Sequence, residues 1–441
     1  MIGISASAFP VTIFSASLPK VAEDVNASET VISWVVAAPL LALAVGTPIA
    51  GKLGDLHGHR RSYLIGYGLS TAFGALTATA WNAGSLIAFR TLGQGASAAT
   101  GPAALAIIMQ VFPREERSKA VGYWSAVTAL SPTIGSVIGG PLVDSLGWRV
   151  IFIIQSAGSA IALLASIRLL PETRRRADVA FDVPGALTLG AGISATLLAV
   201  NRGPAWGWTN PIVLAGIVLG PLLLVTFALV ERRSAAPLLP LGWFARREFT
   251  YSMLTQLFTN MSYFGTLIIT PFLLSRVFGY GTTGVALLVV VRPLSFTLAA
   301  TVAGRRGGTQ SIRRPTMIGM SVLVVGTVLG GIGAETELVL LILVALAIGG
   351  WGQGYARPGL VTAVANSVDD EDLGAASGSL NMVGQIGSSI GITVLSTALG
   401  SSDSVDRFLG IYLLGAAIAA VAFAMASRLP RAAVSGSSPA R

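Results

Sequence analysis

Long apolar runs, broken by short polar connections, set the pattern of this chain. Fourteen can be marked, at about 2–19, 31–50, 62–80, 85–112, 118–140, 149–170, 183–200, 211–230, 250–275, 282–303, 316–333, 338–363, 375–399 and 408–427. Most approach the ~20 apolar residues that a helix needs to cross a bilayer. In hydrocarbon every backbone N–H and C=O must be satisfied within the structure, which leaves helices or closed barrels. Runs this long and continuous are not the ~10-residue alternating strands of a barrel. The pattern predicts an all-α integral membrane protein with fourteen transmembrane helices.

A repeat organises these helices. Ala50–Gly66 aligns without gaps with Ala303–Gly319 at an offset of 253, and seven of seventeen positions are identical. Both copies fall between a second and a third helix of a six-helix set. Such repeats mark transporters built from two pseudo-symmetric six-helix bundles, with cargo held at their interface near the membrane midplane. The bundles would be 1–171 and 249–430. The intervening 172–248 carries two further apolar runs joined by the turn-rich Asn201–Pro211, whose Trp206 and Trp208 suit a membrane interface. It is expected to be an inserted two-helix hairpin. The polar, small-residue tail 431–441 is expected to be disordered.

Composition agrees. Of 441 residues 53% are hydrophobic and 11% charged, with a mean hydropathy of +0.73, against about 25% charged in a soluble domain. The net charge of +9 would fit a nucleic-acid binder, but the positions of the charges do not. With a cytoplasmic N-terminus, 21 Lys/Arg fall on the cytoplasmic side and 5 on the other, while Arg90, Arg292 and Arg357 lie inside apolar runs. This is the positive-inside bias of a multi-pass protein with both termini cytoplasmic, and it implies a cell-membrane location and no nucleic-acid partner. The acidic connection 364–374 carries no base, and acids weigh little in that rule. There is no cysteine, so disulfides and thiol catalysis are excluded. Residues 1–19 lack the basic start of a signal peptide.

The connection Gly51–Arg61 (GKLGDLHGHRR) holds the first candidate site. Its glycines permit positive φ and close approach of helix ends, and an acid near a helix N-terminus is favoured by the dipole. Gly51, Gly54, Asp55, Gly58, Arg60 and Arg61 match the signature loop between helices 2 and 3 of the major facilitator superfamily, which this segment resembles. Leu56 and His59 stand where that loop is usually basic. The resemblance implies that Asp55 docks on the opposite half and steadies one conformation. The matching surface here would be the start of 375–399, preceded by Gly374 and opening with Ala375, Ala376 and Ser377.

An arginine in hydrocarbon is costly and faces a cavity or a partner. Arg90 and Gln94 share one helical face. With Gly95 they resemble the superfamily's helix-4 motif, whose arginine is linked to proton movement. Gly122, Gly135, Gly139 and Gly140 on the fifth run allow close helix approach and resemble the glycine motif of drug antiporters, although Ser131 replaces a glycine and Ser136 stands where proline is usual. The whole chain resembles the fourteen-helix drug:proton antiporter branch (EmrB/QacA-type). Phe181–Gly185, Glu231–Arg233, Pro237–Pro240 and Arg292-Pro293 add to the likeness. Pro10 departs from it, standing where this branch often has an aspartate.

Polar stripes outline a cargo cavity. Gln256, Asn260 and Tyr263 recur on the ninth run, Asn381, Gln385 and Ser388 on the thirteenth, and Trp351, Gln353, Tyr355 and Arg357 cluster on the twelfth, with Arg292 on the tenth. Polar residues on one face of a membrane helix meet protein or water. They would serve either cargo contact or hydrogen bonding between helices. No nucleotide-binding loop, metalloprotease helix motif or catalytic carboxylate pair is present in the sequence, and His57 and His59 sit in a connection, so no enzymatic function, metal or cofactor is expected. The reading is a secondary active exporter of amphipathic small molecules, powered by a proton gradient, with the lipid bilayer and small-molecule cargo as partners and no obligate protein partner. The alternatives are a metabolite importer and a non-transporting membrane sensor on the same scaffold.

Overall fold

The computed structural model describes residues 34–113, 116–128, 146–173, 181–306, 312–400 and 404–430, with Val21, Asp24, Val25 and Val31. The first apolar run, Gly135, Gly139, Gly140 and the tail 431–441 lie outside these residues. The described elements are all helical: α1 Trp34–His57, α2 His59–Ala78, α3 Ala83–Ser97, α4 Thr100–Val111, α5 at 116–128, α6 Trp148–Leu169, α7 Val183–Trp206 and α8 Pro211–Glu231. After a 3₁₀ turn at Leu241–Ala245 come α9 Arg247–Arg276, α10 Thr282–Val289, α11 Val291–Arg306, α12 Arg313–Glu335, α13 Val339–Asn366, α14 Leu373–Leu399 and α15 Val405–Ala426. Among the described residues, nine segments are long and apolar enough to cross a membrane.

The helix starts follow local chemistry. Asn82 accepts from the Ser85 amide at 2.8 Å, and Ser85 Oγ accepts from the Asn82 amide at 3.2 Å, a reciprocal cap on α3. Asp182 caps α7 through the Gly185 amide at 2.8 Å. Asn210 caps α8 through the Ile212 amide, and Pro211 fills the first position of α8, where no amide partner is needed.

The structure redraws four predicted boundaries. The segment read as a connection, Gly51–Arg61, is helical except at Gly58, whose φ of +94° joins α1 to α2. The run 85–112 is two helices: near Ala98 the amides pair three residues back, and Pro102 has no N–H to continue the ladder. The run 282–303 breaks at Val290, where Pro293 cannot pair with Val289. The Asn201–Pro211 tip is helical through Trp206, because Arg202 stacks over Trp34 at 4.5 Å and over Trp206 at 5.6 Å and holds that last turn.

Two compact units emerge: residues 1–110, 127–239 and 371–382, and residues 111–126, 240–370 and 383–441. Lipid removes the hydrophobic drive between helices, so small residues that permit close contact matter most. In the first unit α7 and α8 run antiparallel along Gly192, Gly216 and Gly220, and a Cβ on Gly216 would lie 2.7 Å from the Ala195 oxygen. In the second, a Cβ on Gly319 would lie 2.6 Å from the Gly352 oxygen, which seats α12 on α13. Outward faces are apolar: α8 exposes Ile212, Val218, Leu222 and Val225, as expected for a lipid-facing surface.

Candidate functional site

In the first unit, Asp55 projects from the last turn of α1 and is 1% exposed. Its two carboxylate oxygens each accept one amide at the start of α14, from Gly374 and from Ala375, both at 2.8 Å. Those amides have no partner within their helix, and the dipole favours an anion there. Approach this close requires glycine: a Cβ on Gly51 would lie 2.2 Å from the Gly374 oxygen, and one on Gly374 would lie 2.4 Å from the Gly51 oxygen. His59 Nε2 stands 3.2 Å from Asp55 Oδ1, and Lys52 Nζ 3.7 Å from Asp372 Oδ1. Burial pushes the Asp55 carboxyl above its ordinary range, while the neighbouring imidazole and the two amides pull it back. Gly54 faces the His59 ring, Arg60 pairs with Glu172 and donates to the Ile167 oxygen at 2.7 Å, and Arg61 is exposed.

Arg90, on α3 and 9% exposed, donates from Nε to the Val35 oxygen at 3.0 Å and lies 5.4 Å from the Phe152 ring. Gln94 is half-buried and its backbone oxygen accepts from Ser97 Oγ; a Cβ on Gly95 would meet Ala42 at an ordinary 3.7 Å. Asn381 also falls in the first unit, half-buried near Gly101.

In the second unit a buried polar cluster centres on Asn260. Its amide donates to the Gly384 oxygen at 3.0 Å and to Ser388 Oγ at 3.4 Å, and its oxygen accepts from Gln353 at 3.0 Å and Gln256 at 3.4 Å. All four capacities of the side chain are used. One helical turn along α9, Tyr263 lies under Arg292 of α11, with the guanidinium 4.0 Å from the ring centroid. Arg292 is 3% exposed and donates to Thr266 Oγ1 at 3.0 Å. A desolvated cation–π contact is worth about 2 kcal/mol, less than the several kcal/mol that burying an ion costs.

Other predicted residues are not gathered there. Trp351 is 38% exposed, and Tyr355, Arg357 and Gln385 are half-buried. Gly122 serves packing, since a Cβ on it would meet the Ala300 oxygen at 2.6 Å. Thr270 and Tyr412, 2.9 Å apart beside Thr266, were not marked in the sequence. Tyr263, Thr266 and Thr270 continue the α9 stripe, but a threonine in a membrane helix usually bonds its own backbone and gives a weak signal.

The model of the Major Facilitator Superfamily matches residues 1–391 and 252–441. The chain is 29% identical over 403 residues to the multidrug transporter protein MdtP of Bacillus subtilis, covering 91% of this chain and 74% of that one. It is 32% identical over 398 residues to the puromycin resistance protein pur8 of Streptomyces alboniger, covering 88% and 78%. It is 29% identical over 406 residues to a tetracenomycin C resistance and export protein of Streptomyces glaucescens, covering 91% and 74%. Among solved structures, the fold is similar to the human organic anion transporter MFSD10, with TM-score 0.66, 18% identity and coverage of 95% and 97%. It is also similar to the proton:xylose symporter XylE, with TM-score 0.68, 14% identity and coverage of 96% and 92%. A helical chain of apolar spans that this family model matches along its length is a multi-pass membrane transporter of the Major Facilitator Superfamily.

Proposed function

We propose that this transporter exports amphipathic small molecules across the plasma membrane by alternating access, powered by the proton gradient without a bound cofactor. The observation that carries the reading is the Asp55 clamp on the Gly374 and Ala375 amides. It is a buried hydrogen-bonded contact that a two-state carrier can make in one state and break in the other. The relatives named for drug resistance and export support the direction of transport. The architecture that fits is the fourteen-span branch, with six-helix bundles at 1–171 and 249–430, α7 and α8 as an inserted hairpin, and both termini cytoplasmic.

The cargo class follows from charge. Arg90 and Arg292 are buried and Arg357 is half-buried, whereas the described acids Asp55, Asp182, Glu231 and Glu248 stand at helix ends. A dication in a low-dielectric site without a carboxylate loses solvation and meets repulsion. Neutral or anionic amphipaths are the preferred cargo, and proton coupling runs through a helix-end acid such as Asp55 or Asp182, or through the cargo. Arg90, Gln94 and Gly95 serve coupling. The Asn260 and Gln353 cluster, with Gln256, Tyr263, Arg292 and Arg357, lines the cargo path.

A toxicity and efflux screen in a pump-deficient host, with and without a proton gradient, tests the reading. Gradient-dependent extrusion of neutral or anionic amphipaths is expected. Uptake in oriented vesicles, or dications binding more tightly than size-matched neutral cargo, overturns it.

A further inference from the structure

We propose that the cavity beside Arg292 is a binding site for a small anion, taking either a free halide-sized ion or the carboxylate of a bound molecule. Arg292 lines this cavity in the second unit together with Thr266, Thr270, Thr327, Gly349 and Tyr412. The cavity admits roughly one water-sized body. A whole drug-sized molecule needs about 300–1,000 Å³, so an ion or the tip of a larger molecule is what fits.

The charge in this cavity is incompletely matched. Among the described residues no carboxylate lies within 4.0 Å of the Arg292 guanidinium. Its Nε has no hydrogen-bond acceptor there, although Arg292 is 3% exposed. The Tyr263 side chain and the bond to Thr266 Oγ1 offset only part of the desolvation. Water would satisfy Nε and leave the charge; an anion answers both. The rim can supply further donors. Thr266, Thr270 and Thr327 each donate to a carbonyl of their own helix at 2.8 Å. A carbonyl inside a helix already accepts its helical amide, so a hydroxyl can turn toward an anion without stranding it.

The free-ion form of this site stands without the transport reading, while the carboxylate form rests on it. Binding on the purified full chain tests both without any transport. Thermal melting is followed while sodium chloride, bromide or acetate replaces sodium isethionate at constant ionic strength. Wild type is expected to give a saturable upward shift. Arg292→Gln abolishes it. Gly349→Ala keeps the charge and fills the space: its Cβ would lie 3.9 and 4.0 Å from guanidinium nitrogens, in ordinary contact. That variant is expected to fold normally and to weaken the apparent anion affinity by ~10-fold or more. A response to halides assigns the site to a free ion, and a response to acetate alone assigns it to a carboxylate. The absence of a saturable shift in wild type, or a shift unchanged in Gly349→Ala, overturns the proposal. A failed efflux screen leaves this result standing, which separates the two readings.

Discussion

Gly304 and Gly122 meet backbone to backbone, so that a Cβ on Gly304 would stand 3.0 Å from the Gly122 Cα. The offset of 253 that aligns the sequence repeat carries Gly51 to Gly304 and Gly122 to Ala375. Gly51 lies against Gly374 and Ala375 in the same manner, with a hypothetical Cβ 2.2 Å from the Gly374 oxygen. Each compact unit thus contains one such contact. The acid belongs to the first alone, because glycine, Gly308, stands at the position matching Asp55.

Replacing Asp55 by Asn preserves shape and turns one acceptor into a donor. One of the two α14 amides then faces an N–H group instead of a carboxylate oxygen. Asp55→Asn is expected to insert normally, to lose ~1–3 kcal/mol of stability and to cut transport at least ~10-fold. Wild-type turnover in a well-expressed variant returns Asp55 to a passive packing role.

The raised carboxyl of Asp55 sets a pH dependence. A group whose folded pKa exceeds its unfolded value contributes stability below the ordinary carboxylate range and loses it as pH rises through the raised value. His59 stands beside the carboxylate, and Lys52 and Asp372 form the neighbouring pair. Melting curves of wild type should therefore show a component that falls as pH rises above the ordinary carboxylate range. Asp55→Asn should flatten that component, and identical slopes in the two proteins count against it.

A methyl group on Gly51 has nowhere to go, since the obstruction is backbone. Gly51→Ala is expected to cost ~1–3 kcal/mol as overpacking and to reduce transport along with stability. Gly349→Ala, where the nearest atoms lie 3.9 Å away, serves as the tolerated control for fold. Equal melting temperatures for Gly51→Ala and wild type would show that the helices separate freely there.

Asn260 joins three helices through four hydrogen bonds. Asn260→Leu keeps volume and strands Gln353 and Gln256. A loss of ~0.5–2 kcal/mol is expected, the range that buried polar bonds reach between membrane helices. Asn260→Asp keeps the acceptor and adds charge, so it should be worse than leucine for neutral cargo. Retention of both stability and efflux in both variants removes Asn260 from the cargo path.

Topology gives the last prediction. With fourteen spans, reporters fused after Trp206 and after Arg441 should report opposite sides of the membrane. Cytoplasmic signals from both would remove the proposed hairpin at α7 and α8.

The class of the protein is legible in its sequence. Apolar runs near 20 residues, the repeat at 51 and 304 and the one-sided arginines follow from bilayer thickness and charge cost, which act on sequence directly. The glycine and aspartate spacing of Gly51–Arg61 was legible for the same local reason. Its conformation was not: the segment read as a connection, yet α1 continues to His57, with Gly51 against the Gly374 backbone far along the chain and Gly54 against the His59 ring. The sequence marked Asn260, Gln353 and Arg292 as polar residues in apolar runs. Only the fold decided that Asn260 gathers Gln353 while Trp351, two residues from Gln353, faces outward. It alone placed Arg292 among threonines and tyrosines rather than beside an acid. Which polar groups meet depends on helix rotation and long-range contact, and a one-dimensional pattern holds neither; periodicity marks a face, and packing selects what that face touches.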